Sequence, residues 1–361
     1  MVKRLVMCCD GTWNTPDEAR GGLPCPTNVV KLALAVADRG ADGVEQRVFY
    51  HPGVGTERSE RFRGGAFGYG LSRNVRDTYR FVVENYEPGD DLFFLGFSRG
   101  AFTARSAVGL VRNSGILKRE HVGRLDEAYA LYRSRRTHPR GVAATLFRRS
   151  WSWESRIRFI GVWETVGALG IPLQGPLARI VNRRWAFHDT RLSSHVDNAF
   201  QALAIDEQRA PFVAALWQPP DAPAPGQRIE QVWFSGVHSD VGGGYADASL
   251  ADLPLLWMAD RARSCGLGFE DDAFDDCVTS RRGPAGEEIA VRPDPLGPMH
   301  ESRTGYYKLL KPLHRQIGRT DAAQEYAASS ALQRTEKDEG YAPGNLGAYL
   351  AGEPRVMELG G

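Results

Sequence analysis

The sequence predicts an α/β fold: a mostly parallel central sheet with helices on both faces and a helical insertion. Three observations carry this expectation. Short apolar runs that end in glycine or polar turns recur along the chain. Longer segments of helical period separate them, the pattern of a parallel sheet with crossover helices. The 361 residues can bury a sizeable core. The expected organisation is one domain over 1–361, with a helical insertion at about 118–150 and a less regular region at about 265–361.

The elements follow in order. "RLVMCC" (4–9) reads as a first buried strand, and "TNVVKLALAVADRG" as a helix capped by Thr27 and stopped by Gly40. "QRVFYHPG" (46–53) is a second strand. "LSRNVRDTYRFVVENYEPGD" carries an apolar stripe at Val75, Tyr79, Val82 and Val83, as an amphipathic helix must. "DDLFFLGF" (90–97) is a third strand, and "RGAFTARSAVGLVRNSG" continues as a helix to about Gly115. Residues 118–149 then interrupt the alternation with a basic helical segment, nine Lys/Arg against three Asp/Glu. A solvated helical face is the plain reading; a lid, or peripheral membrane contact through anionic head groups, are the functional ones. Strands resume with "SRIRFIGVW" (155–163) and "IEQVWFSGV" (229–237), and 270–298 reads as an exposed excursion.

Composition excludes several classes. Lys+Arg (45) balances Asp+Glu (44), so the surface is not a nucleic-acid footprint. The five cysteines (Cys8, Cys9, Cys25, Cys265, Cys277) lack a C-x-x-C pair, which favours neither zinc nor a disulfide framework. The N-terminal apolar run is too short for a signal-peptide core, and no run approaches the roughly 18 residues of a membrane span. A cytoplasmic protein, or one exported by a signal-independent machine, is expected. "GGAFGYG" (64–70) holds no G-x-G-x-x-G and no P-loop lysine follows it, so neither a nucleotide nor any other cofactor is expected.

Chemistry concentrates at strand ends. "GFSRG" (96–100) spells G-x-S-x-G, the nucleophile elbow in which a serine sits on a sharp strand-to-helix turn. A serine hydroxyl reacts only when a base takes its proton, usually a histidine oriented by a carboxylate. The strand "RFIGVW" ends at Glu164, and "QVWFSGV" leads to His238. Ligands and catalytic groups gather outside the carboxyl ends of parallel strands, so Ser98, Glu164 and His238 are expected on one rim. Their order is that of α/β-hydrolases. Asp240 is the alternative acid, and His300 the alternative base. Expected oxyanion donors are the backbone N–H of Arg99 and one from Gly11 or Thr12, in the turn after the first strand. Two other readings are weighed: a metal-dependent hydrolase built on Asp10, His238 and Asp240, and a non-catalytic binding or effector module on the same scaffold.

"CDGTWN", "GFSRGAFTAR", "GVWETVGALG" and "GVHSDVGGGY", in that order, resemble the catalytic domain of the type VI secretion lipase effectors of the first class. "ALAIDEQRAPF" (202–212) and "LADLPLLWM" (250–258) agree more weakly. The resemblance implies an α/β-hydrolase-like fold and a serine esterase or phospholipase acting on a small-molecule or lipid ester, with Ser98 as nucleophile, His238 as base and the acid at Glu164. The family usually has Asp there, in "VWDTVG"; Glu is longer by one methylene.

Overall fold

Eight strands form one sheet in the computed structural model, which describes residues 2–11, 19–20, 23–53, 66–134, 136–166, 191–274, 281–282, 288–320 and 324–359. In chain order they are β1 (Lys3–Cys9), β2 (Glu45–His51), β3 (Asp91–Phe97), β4 (Phe159–Trp163), β5 (Asn198–Ala204), β6 (Arg228–Phe234), β7 (Glu325–Ala328) and β8 (Val356–Met357). They lie side by side as β2-β1-β3-β4-β5-β6-β7-β8, and every neighbouring pair is parallel. The expected mostly parallel sheet is therefore parallel throughout, and the 265–361 region contributes two of its strands.

Burial on both faces explains why the central strands read as continuous apolar runs. Leu5 and Met7 of β1, with Leu92 and Phe94 of β3, pack on one face against helices α2 (Ala66–Asn85) and α3 (Arg99–Ser114). The intervening Val6, Cys8, Phe93 and Leu95 point the other way, onto α1 (Asn28–Ala35) and α7 (Ser249–Ser264). The predicted stripe of Val75, Tyr79, Val82 and Val83 is wholly buried. Thr27 caps α1 by accepting from the Val30 N–H. That helix ends at Ala35 rather than Gly40, because Val36 turns extended and bridges to Phe269. A buried ion pair, Lys31 Nζ to Asp252 Oδ1 at 2.6 Å, ties α1 to α7.

The basic segment forms a 3₁₀ turn (Arg119–Arg124), α4 (Leu125–Arg133) and α5 (Val142–Trp151). It is anchored on the far end of α3: Ser114 donates to the Ala128 carbonyl, and Arg148 to that of Asn113. Those contacts lie about 24 Å along the helix from Ser98.

The strand order fixes where the chemistry can sit. The chain leaves β1 towards β2 on one side and returns to β3 on the other, so the loops at the carboxyl ends of β1 and β3 diverge and open a crevice. Both Asp10-Gly11 and Ser98 stand at that point.

A candidate active site at the strand ends

β3 runs directly into α3 through Ser98, whose φ of 56° lies in the left-handed region that a serine seldom occupies. Two close approaches enforce the bend. A Cβ on Gly96 would sit 2.5 Å from the Gly100 carbonyl oxygen, and one on Gly100 would sit 2.0 Å from that of Cys9. The second glycine thus lets the start of α3 press onto the end of β1. The strained turn lifts Ser98 Oγ toward the rim, and the first N–H of a sixteen-residue helix, that of Arg99, follows it.

Glu164 stands one residue beyond β4, also with a positive φ, 50°. Ser98 and Glu164 are the only described non-glycine residues in that region. Such strain persists only where surrounding contacts over-determine it, and it clusters at working sites. The contacts are visible. Glu164 Oε1 accepts from the Ala204 N–H at 2.7 Å, and Arg315 donates to Oε1 at 2.7 Å and to Oε2 at 2.9 Å.

His238 opens the short helix α6 (His238–Gly242), just past β6. Its Nε2 lies 2.9 Å from Ser98 Oγ and its Nδ1 2.9 Å from Glu164 Oε2. Phe97 and Phe212 flank the imidazole, with ring centroids 4.8 and 4.9 Å away, and Glu207 accepts from its backbone N–H. The three residues that the sequence singles out thus form one hydrogen-bonded chain, almost wholly buried.

Electrostatics give each group a protonation state. Burial pushes the Glu164 carboxyl up, but the Arg315 guanidinium and the His238 bond outweigh it and hold the group at about 2. Burial holds His238 below its ordinary value, against the opposing pull of Glu164. The nearby Arg209 guanidinium adds to the lowering, and the Glu207 carboxylate opposes it. The imidazole is then neutral near neutral pH, as a general base must be.

Other expected residues are placed differently. Asp240 does not reach the His238 ring: its Oδ1 lies 2.6 Å from His300 Nδ1, and its Oδ2 accepts from the Val237 N–H. Loop geometry decides this, since the side chain two residues on turns back across its own helix start. His300 is occupied by Asp240 and stacks on Tyr245 at 3.8 Å, away from Ser98. The Gly11 N–H donates to Asp10 Oδ1 instead of facing the serine, and Thr12 lies outside the described residues. Asp10 Oδ2 accepts from Thr27 and Tyr50. The metal set of Asp10, His238 and Asp240 is therefore not assembled, and among the described residues no group of three His, Cys, Asp or Glu side chains could hold a metal ion.

Sequence reasoning missed Arg315, Glu207 and Phe212. The latter two fall in "ALAIDEQRAPF", whose role is now physical: the stretch after β5 carries the Ala204 N–H, the Glu207 carboxylate and the Phe212 ring to the His238 loop. Arg315 comes from "KPLHRQIG", which has no motif to mark it.

A family model described as the catalytic domain of the Tle1-like phospholipase effectors of the type VI secretion system (T6SS) matches residues 3–261. Among curated proteins, the uncharacterized protein YEL023C of Saccharomyces cerevisiae is 25% identical over 241 residues, 60% of this chain and 33% of that protein. A crystal structure of an uncharacterized protein from Pseudomonas aeruginosa is similar at 19% identity and a TM-score of 0.43, covering 74% of this chain and 46% of that one. The chain spans about a third of the length of the curated relative and under half of that of the solved structure.

Proposed function

Because the chain belongs to the Tle1-like phospholipase effector catalytic domain family, we propose that it hydrolyses an acyl ester of a lipid, with Ser98 as nucleophile, His238 as general base and Glu164 as the acid that orients it. The supporting observation is the unbroken chain Ser98 Oγ, His238 Nε2, His238 Nδ1, Glu164 Oε2, with both contacts at 2.9 Å.

Ser98 Oγ attacks the ester carbonyl carbon while its proton passes to His238 Nε2. The oxyanion forms beside the Arg99 N–H, at the positive end of α3. Glu164 holds the Nδ1 proton and stabilises the imidazolium without taking a proton itself. Collapse of the adduct breaks the C–O bond, and the alcohol leaves with the proton from Nε2. Water then attacks the acyl-serine by the same route, releasing the carboxylic acid and restoring Ser98.

Export by a machine that reads no N-terminal signal goes with a type VI effector-like protein. Among the described residues no helix is long and apolar enough to cross a membrane.

A fluorophosphonate probe and a panel of short-chain esters and phospholipids, run on wild type beside Ser98→Ala, test the reading. Labelling of Ser98 and turnover lost in the variant are expected. A folded wild type that is neither labelled nor active on any ester would overturn it.

A further inference from the structure

On the α3 side of the sheet a cavity of about 740 Å³ opens between α3, Ser134 and residues 136–140 of the insertion, residues 191–194, Trp217 and residues 220–222. None of Ser98, Glu164 or His238 is among its described lining residues. Arg105, at its near edge, stands about 10 Å along α3 from the serine. This volume suits a small organic ligand.

The described wall carries five arginines, Arg105, Arg112, Arg136, Arg140 and Arg191, against one carboxylate, Asp221. Asp221 already serves Arg191, which donates to both of its oxygens. Two further guanidiniums are fixed in place: Arg105 donates to the Ala215 carbonyl and lies over the Trp217 ring at 4.8 Å, and Arg112 donates to the Ser193 hydroxyl. Arg136 and Arg140 are exposed on the insertion side.

Gathering like charges around one void is unfavourable without an anion to share. The planar fork of arginine matches phosphate oxygens in pairs, and hydroxyls of Ser134 and Thr137 add neutral donors. Part of the wall is apolar, with Val108, Ile160, Leu192 and the Trp217 ring. A bare inorganic ion would leave that surface unused.

We propose that this cavity binds a phosphate ester carrying an apolar group, at a site separate from Ser98. The chemistry is shared by free organic phosphates and by phospholipid head groups. The proposal does not depend on the hydrolytic reading, since it concerns binding by residues outside the serine's surroundings.

Calorimetric titration of the full chain carrying Ser98→Ala tests it, using inorganic phosphate, glycerol 3-phosphate and dihexanoylphosphatidylglycerol below its micelle concentration. Co-sedimentation with phosphatidylglycerol or phosphatidylcholine vesicles runs beside it. At least one ester is expected to bind at least tenfold more tightly than inorganic phosphate, and Arg136→Ala/Arg140→Ala to weaken that binding at least tenfold. In a chain that keeps Ser98, the double change leaves fluorophosphonate labelling unaltered. Binding of glycerol 3-phosphate without vesicle capture assigns a free phosphate ester; dihexanoyl lipid binding with capture only by phosphatidylglycerol vesicles assigns a lipid head group. Equal affinity in the presence and absence of the two arginines, inorganic phosphate bound as tightly as the esters, or no binding of any probe overturns the proposal.

Discussion

Replacing Arg315 by methionine removes the only described cation bonded to the Glu164 carboxylate and leaves that carboxylate buried against His238 and one backbone N–H. Two routes give the size of the loss. Arg315 and His238 together, against burial, hold the carboxyl at about 2 rather than its ordinary 4.5, a net shift worth roughly 3 kcal/mol in which Arg315 is the first-named favourable cause. Breaking a buried ion pair from one side costs about 3–5 kcal/mol in general. The sign follows from the lowered value: this stability is fully present above the unfolded-state pKa of 4.5 and disappears as the pH falls through about 2. Arg315→Met should therefore lose about 3 kcal/mol in urea unfolding at pH 7 and much less at pH 2 to 3. Catalysis gives a second readout. Without the guanidinium, burial raises the Glu164 carboxyl while its remaining charge raises His238, so the acidic limb of the kcat/KM profile moves to higher pH. Arg315→Lys, which keeps the charge but loses the fork, should lie between. A folded Arg315→Met protein whose acidic limb and pH 7 stability both match wild type would refute the assignment.

Glu164→Gln should lower kcat by on the order of 10⁴, the cost of the wrong imidazole tautomer, whereas Asp240→Asn should leave kcat within about a factor of five; steady-state rates on one ester compare them directly, and the reverse ranking would make Asp240 the acid. Gly100→Ala forces a methyl group against the Cys9 carbonyl and should cost more than about 3 kcal/mol, the upper end of ordinary overpacking, measured by denaturant midpoint. Lys31→Met strands the buried Asp252 carboxylate and should lose about 3–5 kcal/mol by the same measurement, with labelling of Ser98 intact in the folded fraction.

The elements legible in the sequence are those whose residues declare themselves locally. β1, β3, β4 and β6 announce themselves by apolar runs, and α3 by its glycine-bounded pattern; Ser98, Glu164 and His238 follow because each stands where a strand stops. β5 was missed for a physical reason. Its sequence, NAFQALA, has no β-branched residue, and it is a strand because β4 and β6 bond it from both sides and bury every residue. β7 and β8 are short and lie beyond the expected excursion, so only the docking of β7 on β6 and of β8 on β7 defines them. Arg315 was invisible because nothing about an arginine in an irregular stretch tells which carboxylate, 151 residues away, it will meet.

That separation matters for a chain made from one end. By the time His238 has emerged from the ribosome, Ser98, Glu164 and His238 are all present in the nascent polypeptide, but the guanidinium that bonds Glu164 is still to be synthesised. The N-terminal two thirds of the chain therefore holds these three residues without Arg315, which joins Glu164 only when the last part folds back onto the sheet. Under the proposed mechanism activity would in this sense be a test of completion, because a stalled or truncated product ending before residue 315 lacks the guanidinium that bonds Glu164.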